Sequence, residues 1–209
     1  EDYANNAIKR FAPPGDGLVV DIGSNDGTLL RFFQNAGMTV LGVDPAKDIA
    51  ATATAEGIET MPQFFTPALA REVVDARGKA SVVTANNVFA HADDLKSIAE
   101  GIATMLAPGG IFVFEVSYLV DVFEDVLFDT IYHEHMAYHA VGPLQQFFRG
   151  IGLELFAAER IPSHGGSLRG YVQLAEGQHE HDGSVENLLA VERALKLDSS
   201  ATLKKFGAR

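Results

Sequence analysis

The chain has 209 residues, enough for one domain or one with part of a second at roughly 150 residues each. Sixteen basic residues stand against 28 acidic ones, a net of −12, and so negative a field opposes the phosphate neutralisation that nucleic-acid binding requires. There is no cysteine, which excludes disulfides, thiolate zinc sites and cysteine nucleophiles from these residues, and no apolar run reaches the roughly 18 residues of a membrane span.

The expectation is a cytoplasmic protein directed at a small molecule, with neither nucleic acid nor membrane as partner. A helix over Tyr3–Phe11 ends at Pro13-Pro14-Gly15, and Leu18–Ile22 is a short continuous apolar strand of the kind buried on both faces. Thr28–Ala36 reads as a helix stopped by Gly37, Thr39–Val43 as a strand, Ala46–Glu56 as an Ala-rich helix and Gly57–Thr60 as a weak strand. Helix Thr66–Ala76, strand Ala80–Ala85, helix Asp94–Leu106 and strand Ile111–Val116 continue the alternation, which points to βαβ units and a mainly parallel sheet. Beyond Tyr118–His139, a long aromatic and acidic stretch, Pro143–Gly150 reads as a helix. Gly152–Glu159 and Leu168–Ala175 follow as strands; their short connection, Arg160–Ser167, makes the pair antiparallel. Val185–Phe206 reads as one final helix.

The first chemically informative stretch runs Asp21-Ile22-Gly23-Ser24-Asn25-Asp26-Gly27 between a strand and a helix start. Glycines serve where φ is positive or a ligand presses on the backbone, and the helix start offers unpaired N–H groups. The spacing is not the G-x-G-x-x-G of a dinucleotide site. An acid two residues before the first glycine sits badly beside a pyrophosphate and suits a ligand with an ammonium group, such as the methionine part of S-adenosylmethionine. Asp44 ends the next strand, where an acid can take both hydroxyls of a ribose; a plain glycine turn with an Asp at a strand end is the alternative.

This pattern resembles the class I S-adenosylmethionine-dependent methyltransferases. The resemblance implies a three-layer α/β sandwich, mainly parallel, with an antiparallel strand near the C-terminal end. It also implies that Asp21, Gly23, Asn25 and Gly27 line the methionine and ribose while Asp44 binds the ribose. Asn25 stands where the commoner pattern has glycine, which leaves the ligand class intact but narrows the turn.

Two further groups lie where open α/β sheets bind ligands, at the carboxyl ends of strands. Asn86 and Asn87 suit either the methionine portion, the substrate or a simple turn, and His91 follows in the same crevice mouth. Tyr132–His139 packs three histidines, two tyrosines and one glutamate into one short segment. If helical, it puts Tyr132 and His135 on one face, and His135 and His139 on one face. Metal binding, a solvated polar helix and acid–base work are all open to it, although Ala137 breaks the H-E-x-x-H zinc pattern.

The stretches Asn86–Leu95, Phe114-Glu115-Val116, Tyr132-His133-Glu134-His135 and His164–Arg169 together resemble the sugar C-methyltransferases, which methylate a ring carbon beside the ketone of a nucleotide-linked 4-keto-deoxysugar. That resemblance implies His135 as the base, Tyr132 and Glu134 orienting it or the sugar, and His91 near the developing enolate; with the zinc pattern broken, no metal is expected at these residues. A histidine suits such proton abstraction near neutral pH. It further implies a methyltransferase domain over 1–176 and a helical linker over 177–209 toward a further C-terminal domain, with a cysteine-rich zinc domain expected ahead of them. Rival readings are an O- or N-methyltransferase of another small metabolite and a cofactor-binding module without turnover. Phe64-Phe65 reads as core more readily than as an adenine contact, and Arg169 as either a surface residue or a diphosphate contact.

Overall fold

Short, wholly apolar strands need cover on both faces, and this chain supplies it with helices on either side. The computed structural model describes residues 1–130, 132–133 and 135–208. Helix α1 (Asp2–Phe11) leads into β1 (Leu18–Ile22), α2 (Thr28–Asn35), β2 (Thr39–Val43), α3 (Lys47–Ala55), β3 (Thr60–Met61) and α4 (Pro67–Arg77). Then come β4 (Ala80–Asn86), α5 (Leu95–Met105), β5 (Leu106–Ser117), α6 (Leu119–Asp125), α7 (Val141–Arg149), β6 (Leu153–Ile161), β7 (Ser167–Leu174), α8 (Ser184–Leu195) and α9 (Ser200–Phe206). Among the described residues seven strands form one sheet in the order β3-β2-β1-β4-β5-β7-β6. Strands β1 to β5 run parallel, and β7 is antiparallel to both of its neighbours, β5 and β6. This is the mainly parallel three-layer sandwich that the resemblance implied. Its strand order reverses between β1 and β4, which opens a crevice at their carboxyl ends.

Alternation along β1 sends Val20 and Ile22 into one core, with Leu41, Val83, Phe112 and Phe114. Val19 points into the other, with Leu30, Val40, Val82 and Val113. The same alternation turns Asp21 to the second face, where Thr84 of β4 donates to its Oδ1 at 2.6 Å. Helix α1 covers this face. Ala4 and Ala7 are buried against the sheet, and Phe11 packs edge-on to Phe156, 5.7 Å between centroids. Arg10 adds a 2.6 Å ion pair with Asp182 and lies 4.5 Å over the Tyr171 ring.

Three expected elements differ in extent, each for a local reason. Strand β5 starts at Leu106 instead of Ile111, because Leu106 pairs with Ala80 and the register shifts before Val82 pairs with Ile111. Proline and glycines at Pro108-Gly109-Gly110 therefore mark an irregularity inside the strand and not its start. The weak third strand sits later, at Thr60–Met61, with Ile58 buried in the preceding connection. The single final helix is two, α8 and α9, because Lys196 turns left-handed at φ 54° and Leu197 buries to 7% exposure. Asp198, Ser199 and Ser200 then favour a new helix start over continuation.

Candidate active site

The β1–α2 turn is bound to the end of β2. Gly23 N–H donates to the Val43 carbonyl at 2.8 Å, and Asn25 N–H donates to Asp44 Oδ2 at 2.9 Å. Ala46 N–H donates to the other carboxylate oxygen, Oδ1, at 2.9 Å. Asp44 is thus fixed through both oxygens, each of which keeps a further lone pair, and the carboxylate is poised to accept two neighbouring hydroxyls. Gly23 has φ 72°, and a Cβ there would meet Val88 Cγ2 at 2.8 Å. Gly27, the N-cap of α2, has φ 76°, and a Cβ would meet Ile58 Cγ2 at 2.7 Å. Asn25 takes φ 50°, a conformation asparagine tolerates better than most residues.

A cavity of about 640 Å³ opens in the crevice, the size usual for a small-molecule site. Of the expected residues, Gly23, Asp44, Asn87 and His91 line it. Asn25 lines a separate shallow pocket with Asp26 and Asp48, on the outer side of the turn. Pro45, Asp94 and Ser97, unread in the sequence as site residues, also line the main cavity. Asp94 caps α5, accepting from Ser97 N–H at 3.0 Å and Ser97 Oγ at 2.6 Å, and these bonds hold its carboxyl below the usual range. Phe65 is core at 8% exposure, as expected, but Phe64 is 77% exposed at the cavity wall, which corrects its reading as core.

Asp21 and Asn86 do not line that cavity; both sit on the α1 side of the sheet. Asp21 is only 4% exposed, and burial pushes its carboxyl up to about 7, against the Thr84 hydrogen bond and with a smaller push from Asp44. Asn86 Oδ1, Ser24 Oγ and the Tyr3 hydroxyl are buried with no hydrogen-bond partner among the described residues. Glu115 Oε1 accepts from Arg169 Nε at 2.7 Å, and Arg169 Nη1 reaches Glu159 at 3.3 Å. Arg169 is therefore committed to two carboxylates, with its guanidinium 4.5 Å over the Tyr3 ring. At 15% side-chain exposure it is not the surface residue that was one of its expected readings.

Among its described residues the histidine segment is not helical. Tyr132 and His133 lie in a bend and a turn, Met136 to Tyr138 are irregular, and His139 pairs with Tyr118 in an isolated parallel bridge. Tyr132 and His135 nevertheless meet, because the turn brings His135 N–H to the Tyr132 carbonyl at 3.1 Å. His135 Nδ1 lies 2.9 Å from the Thr130 carbonyl oxygen. A carbonyl only accepts, so Nδ1 carries the proton of the neutral ring, and Nε2 accepts from the Tyr132 hydroxyl at 2.9 Å. His139 departs from the pair and buries against Phe89, where burial holds its imidazole below the ordinary histidine range. Met136 N–H donates to Ala90 O at 2.9 Å and so stitches this segment to the turn that carries His91. The rings of His91 and His135 come within 5.0 Å between centroids. Glu134 lies outside the described residues.

The arrangement offers a small-molecule cavity, a fixed carboxylate suited to a diol, and an oriented imidazole beside a second one at the mouth. Comparisons with known proteins agree in kind. A family described as "Methyltransferase domain" matches residues 1–158, and one described as "C-methyltransferase C-terminal domain" matches residues 162–209. The boundary between them falls inside one sheet, since β7 is bonded between β5 and β6. C-methyltransferase NovU of Streptomyces niveus is 36% identical over 199 residues, 95% of this chain and 47% of that protein. The chain thus spans about half the length of that relative. Among solved structures, magnesium protoporphyrin IX methyltransferase (ChlM) from Synechocystis, with bound SAH, superposes with a TM-score of 0.63 at 15% identity, covering 82% of this chain and 80% of that one. An S-adenosylmethionine-dependent methyltransferase from Clostridium acetobutylicum gives 0.63 at 12%, covering 83% and 90%.

Proposed function

The chain belongs to the methyltransferase-domain family, and from that premise we propose that it uses S-adenosylmethionine to methylate a ring carbon of a nucleotide-linked keto-deoxysugar through an enolate. When bound, the cofactor supplies an electrophilic methyl group on a sulfonium sulfur. The residues present fit it. Asp44 has free lone pairs for the ribose hydroxyls, and the buried, unpartnered polar atoms of Tyr3, Ser24 and Asn86 await hydrogen bonds behind the glycine turn. Asp21, Gly23, Asn25 and Gly27 shape that turn, and Asn87 adds a polar wall.

His91 lines the Asp44 cavity and His135 lies beside it, 5.0 Å between ring centroids, and this juxtaposition is the observation that carries the reading. Methylation of carbon requires a carbanion equivalent, and a C–H beside a ketone is acidic enough for an imidazole to deprotonate. His135 Nε2 takes that proton once the substrate displaces the Tyr132 hydroxyl from its one lone pair. Its other nitrogen stays on the Thr130 carbonyl, which stabilises the imidazolium formed. Tyr132 holds the ring, and His91 donates to the oxygen where negative charge develops. Glu134 is assigned to orienting His135 or the sugar on resemblance. The C–C bond forms as the sulfur–methyl bond breaks, so the substrate gains CH₃ and loses H⁺ to the protein.

Incubation in D₂O with a nucleotide 4-keto-deoxysugar tests this: deuterium exchange at the acidic ring carbon and methyl transfer to the same carbon are expected. Transfer to oxygen or nitrogen without exchange replaces the enolate route by that of an O- or N-methyltransferase. Cofactor binding with no transfer to a keto-sugar replaces it by a binding module.

A further inference from the structure

We propose that Tyr3, in the first turn of α1, binds the α-amino acid end of S-adenosylmethionine, its hydroxyl donating to the carboxylate while Asn86 and Asp21 receive the ammonium group. The inference rests on the cofactor reading above and extends it to a helix with no part in the glycine motif.

A buried hydroxyl with no partner costs stability, and native chains keep few of them unless a ligand or water completes the bond. Here a buried donor and a buried acceptor, Tyr3 Oη and Asn86 Oδ1, both lack one among the described residues. They belong to one face. Asn86 follows Val82 and Thr84 in the alternation of β4, on the side of Asp21, and its register partner Glu115 follows Val113 on β5. Tyr3 reaches this face from α1, near enough to Asp21 and Glu115 for their charges to act on its hydroxyl. That hydroxyl is held well above the usual tyrosine range by burial first and then by Glu115 and Asp21, so it stays a neutral donor.

The set matches a zwitterion. A carboxylate needs donors, and Tyr3 offers one beneath the Arg169 guanidinium, which adds positive charge 4.5 Å from the ring. An ammonium needs acceptors, and Asn86 Oδ1 and the Asp21 carboxylate are both on hand. The placement of α1 is not left to Tyr3, because Phe11 and Arg10 anchor the far end of the helix.

Calorimetric titration of the 209-residue chain with S-adenosylhomocysteine, and with 5′-methylthioadenosine, which lacks the amino acid end, separates the parts. Tyr3→Phe is expected to weaken S-adenosylhomocysteine about tenfold or more, the effect of a lost hydrogen bond to a charged group, and to leave methylthioadenosine within about twofold. The free Tyr3→Phe chain should melt no lower than the parent, since the hydroxyl removed had no partner; a purely structural hydroxyl would lower the melting temperature. Asn86→Leu should show the same selectivity between ligands. Unchanged S-adenosylhomocysteine affinity in Tyr3→Phe, or equal loss for both ligands, overturns the assignment. Failure of the parent chain to bind either ligand overturns the cofactor reading itself.

Discussion

The imidazole rings of His91 and His135 lie 5.0 Å apart, although one rides on the turn after β4 and the other on the irregular segment beyond α6. A backbone bond, Met136 N–H to Ala90 O, ties the two segments where the rings meet. His135 has a carbonyl on Nδ1 that fixes its tautomer and leaves Nε2 as its basic nitrogen. His135→Asn should therefore lower turnover on the order of 10²–10⁴-fold, the usual worth of a positioned acid–base group. Because His135 does not line the Asp44 cavity, affinity for S-adenosylhomocysteine should be retained. Tyr132→Phe removes an orienting bond and leaves the base, so slower deuterium exchange is expected, not its loss. Exchange at the parent rate in His135→Asn would move the base elsewhere.

Asp21 should make stability depend on pH, and with the amino acid end of the cofactor placed beside it as proposed, ligand binding as well. Burial raises its carboxyl to about 7 in the folded chain against an ordinary value of 3.8, so the folded state holds a proton that the unfolded state has released. The unfolded chain binds fewer protons in that window, and stability must fall as pH rises from about 4 to about 7. The full penalty, on the order of 4 kcal/mol, is reached above pH 7. The groups around this carboxyl oppose each other: Thr84 favours the charged form, Asp44 disfavours it, and Tyr3 stays neutral. Asp21→Asn should flatten this slope in urea titrations between pH 4 and 8. An ammonium group arriving beside Asp21 favours its ionisation, so S-adenosylhomocysteine binding at pH 7 should release protons in the parent and far fewer in the variant. Titrations in buffers of different ionisation enthalpy measure that release.

Much of this architecture was legible because it is written in local patterns. The five-residue runs of β1 and β2, the glycine turn between β1 and α2, and Asp44 at a strand end are all short-range signals. Beyond them, the meeting of Tyr132 with His135 was legible but the geometry that produces it was not. Tyr132 and His135 were paired on helical spacing, yet a turn brings them together, and the same spacing wrongly joined His135 to His139. Nothing in the residues 132–139 reveals that the Tyr118 bridge draws His139 away, since that contact is set by the tertiary fold. Tyr3 was read only as the start of a helix, because its approach to Asp21 depends on how α1 crosses the sheet. The split of α8 from α9 had a local signal in Asp198-Ser199-Ser200, overridden in reading by the apolar periodicity on either side.

Gly27 tests whether the turn is built for close approach. At φ 76° an L side chain costs about 1–2 kcal/mol, and a Cβ would also press on Ile58 at 2.7 Å. Ile58 is fully buried and cannot withdraw freely. Gly27→Ala should thus lower the thermal midpoint by several degrees and weaken S-adenosylhomocysteine through displacement of the α2 N-terminus. Gly57→Ala provides the contrast: φ there is 93°, but nothing stands within 4 Å of a Cβ, so only the backbone strain should appear and affinity should hold.

Glu192 is the joint between α8 and the rest of the domain, and its removal should be felt far from the cavity. Its carboxylate is 8% exposed and accepts from three donors: the Tyr118 hydroxyl at 2.9 Å, Val141 N–H at 2.6 Å and Gly142 N–H at 3.0 Å. The two N–H groups open α7 and have no intrahelical partner, so Glu192 caps that helix from another element and adds negative charge at its positive end. Burial and the Glu192 charge both keep Tyr118 protonated, and hence a donor. Glu192→Ala strands three donors at once and should cost about 3 kcal/mol in urea denaturation, with the slope unchanged. Tyr118→Phe alone should cost about 1 kcal/mol, because the carboxylate keeps its two amide donors. The double variant should cost less than the sum, since the Tyr118–Glu192 bond is lost once in either background. Additive losses would mean that Glu192 acts through the α7 cap alone.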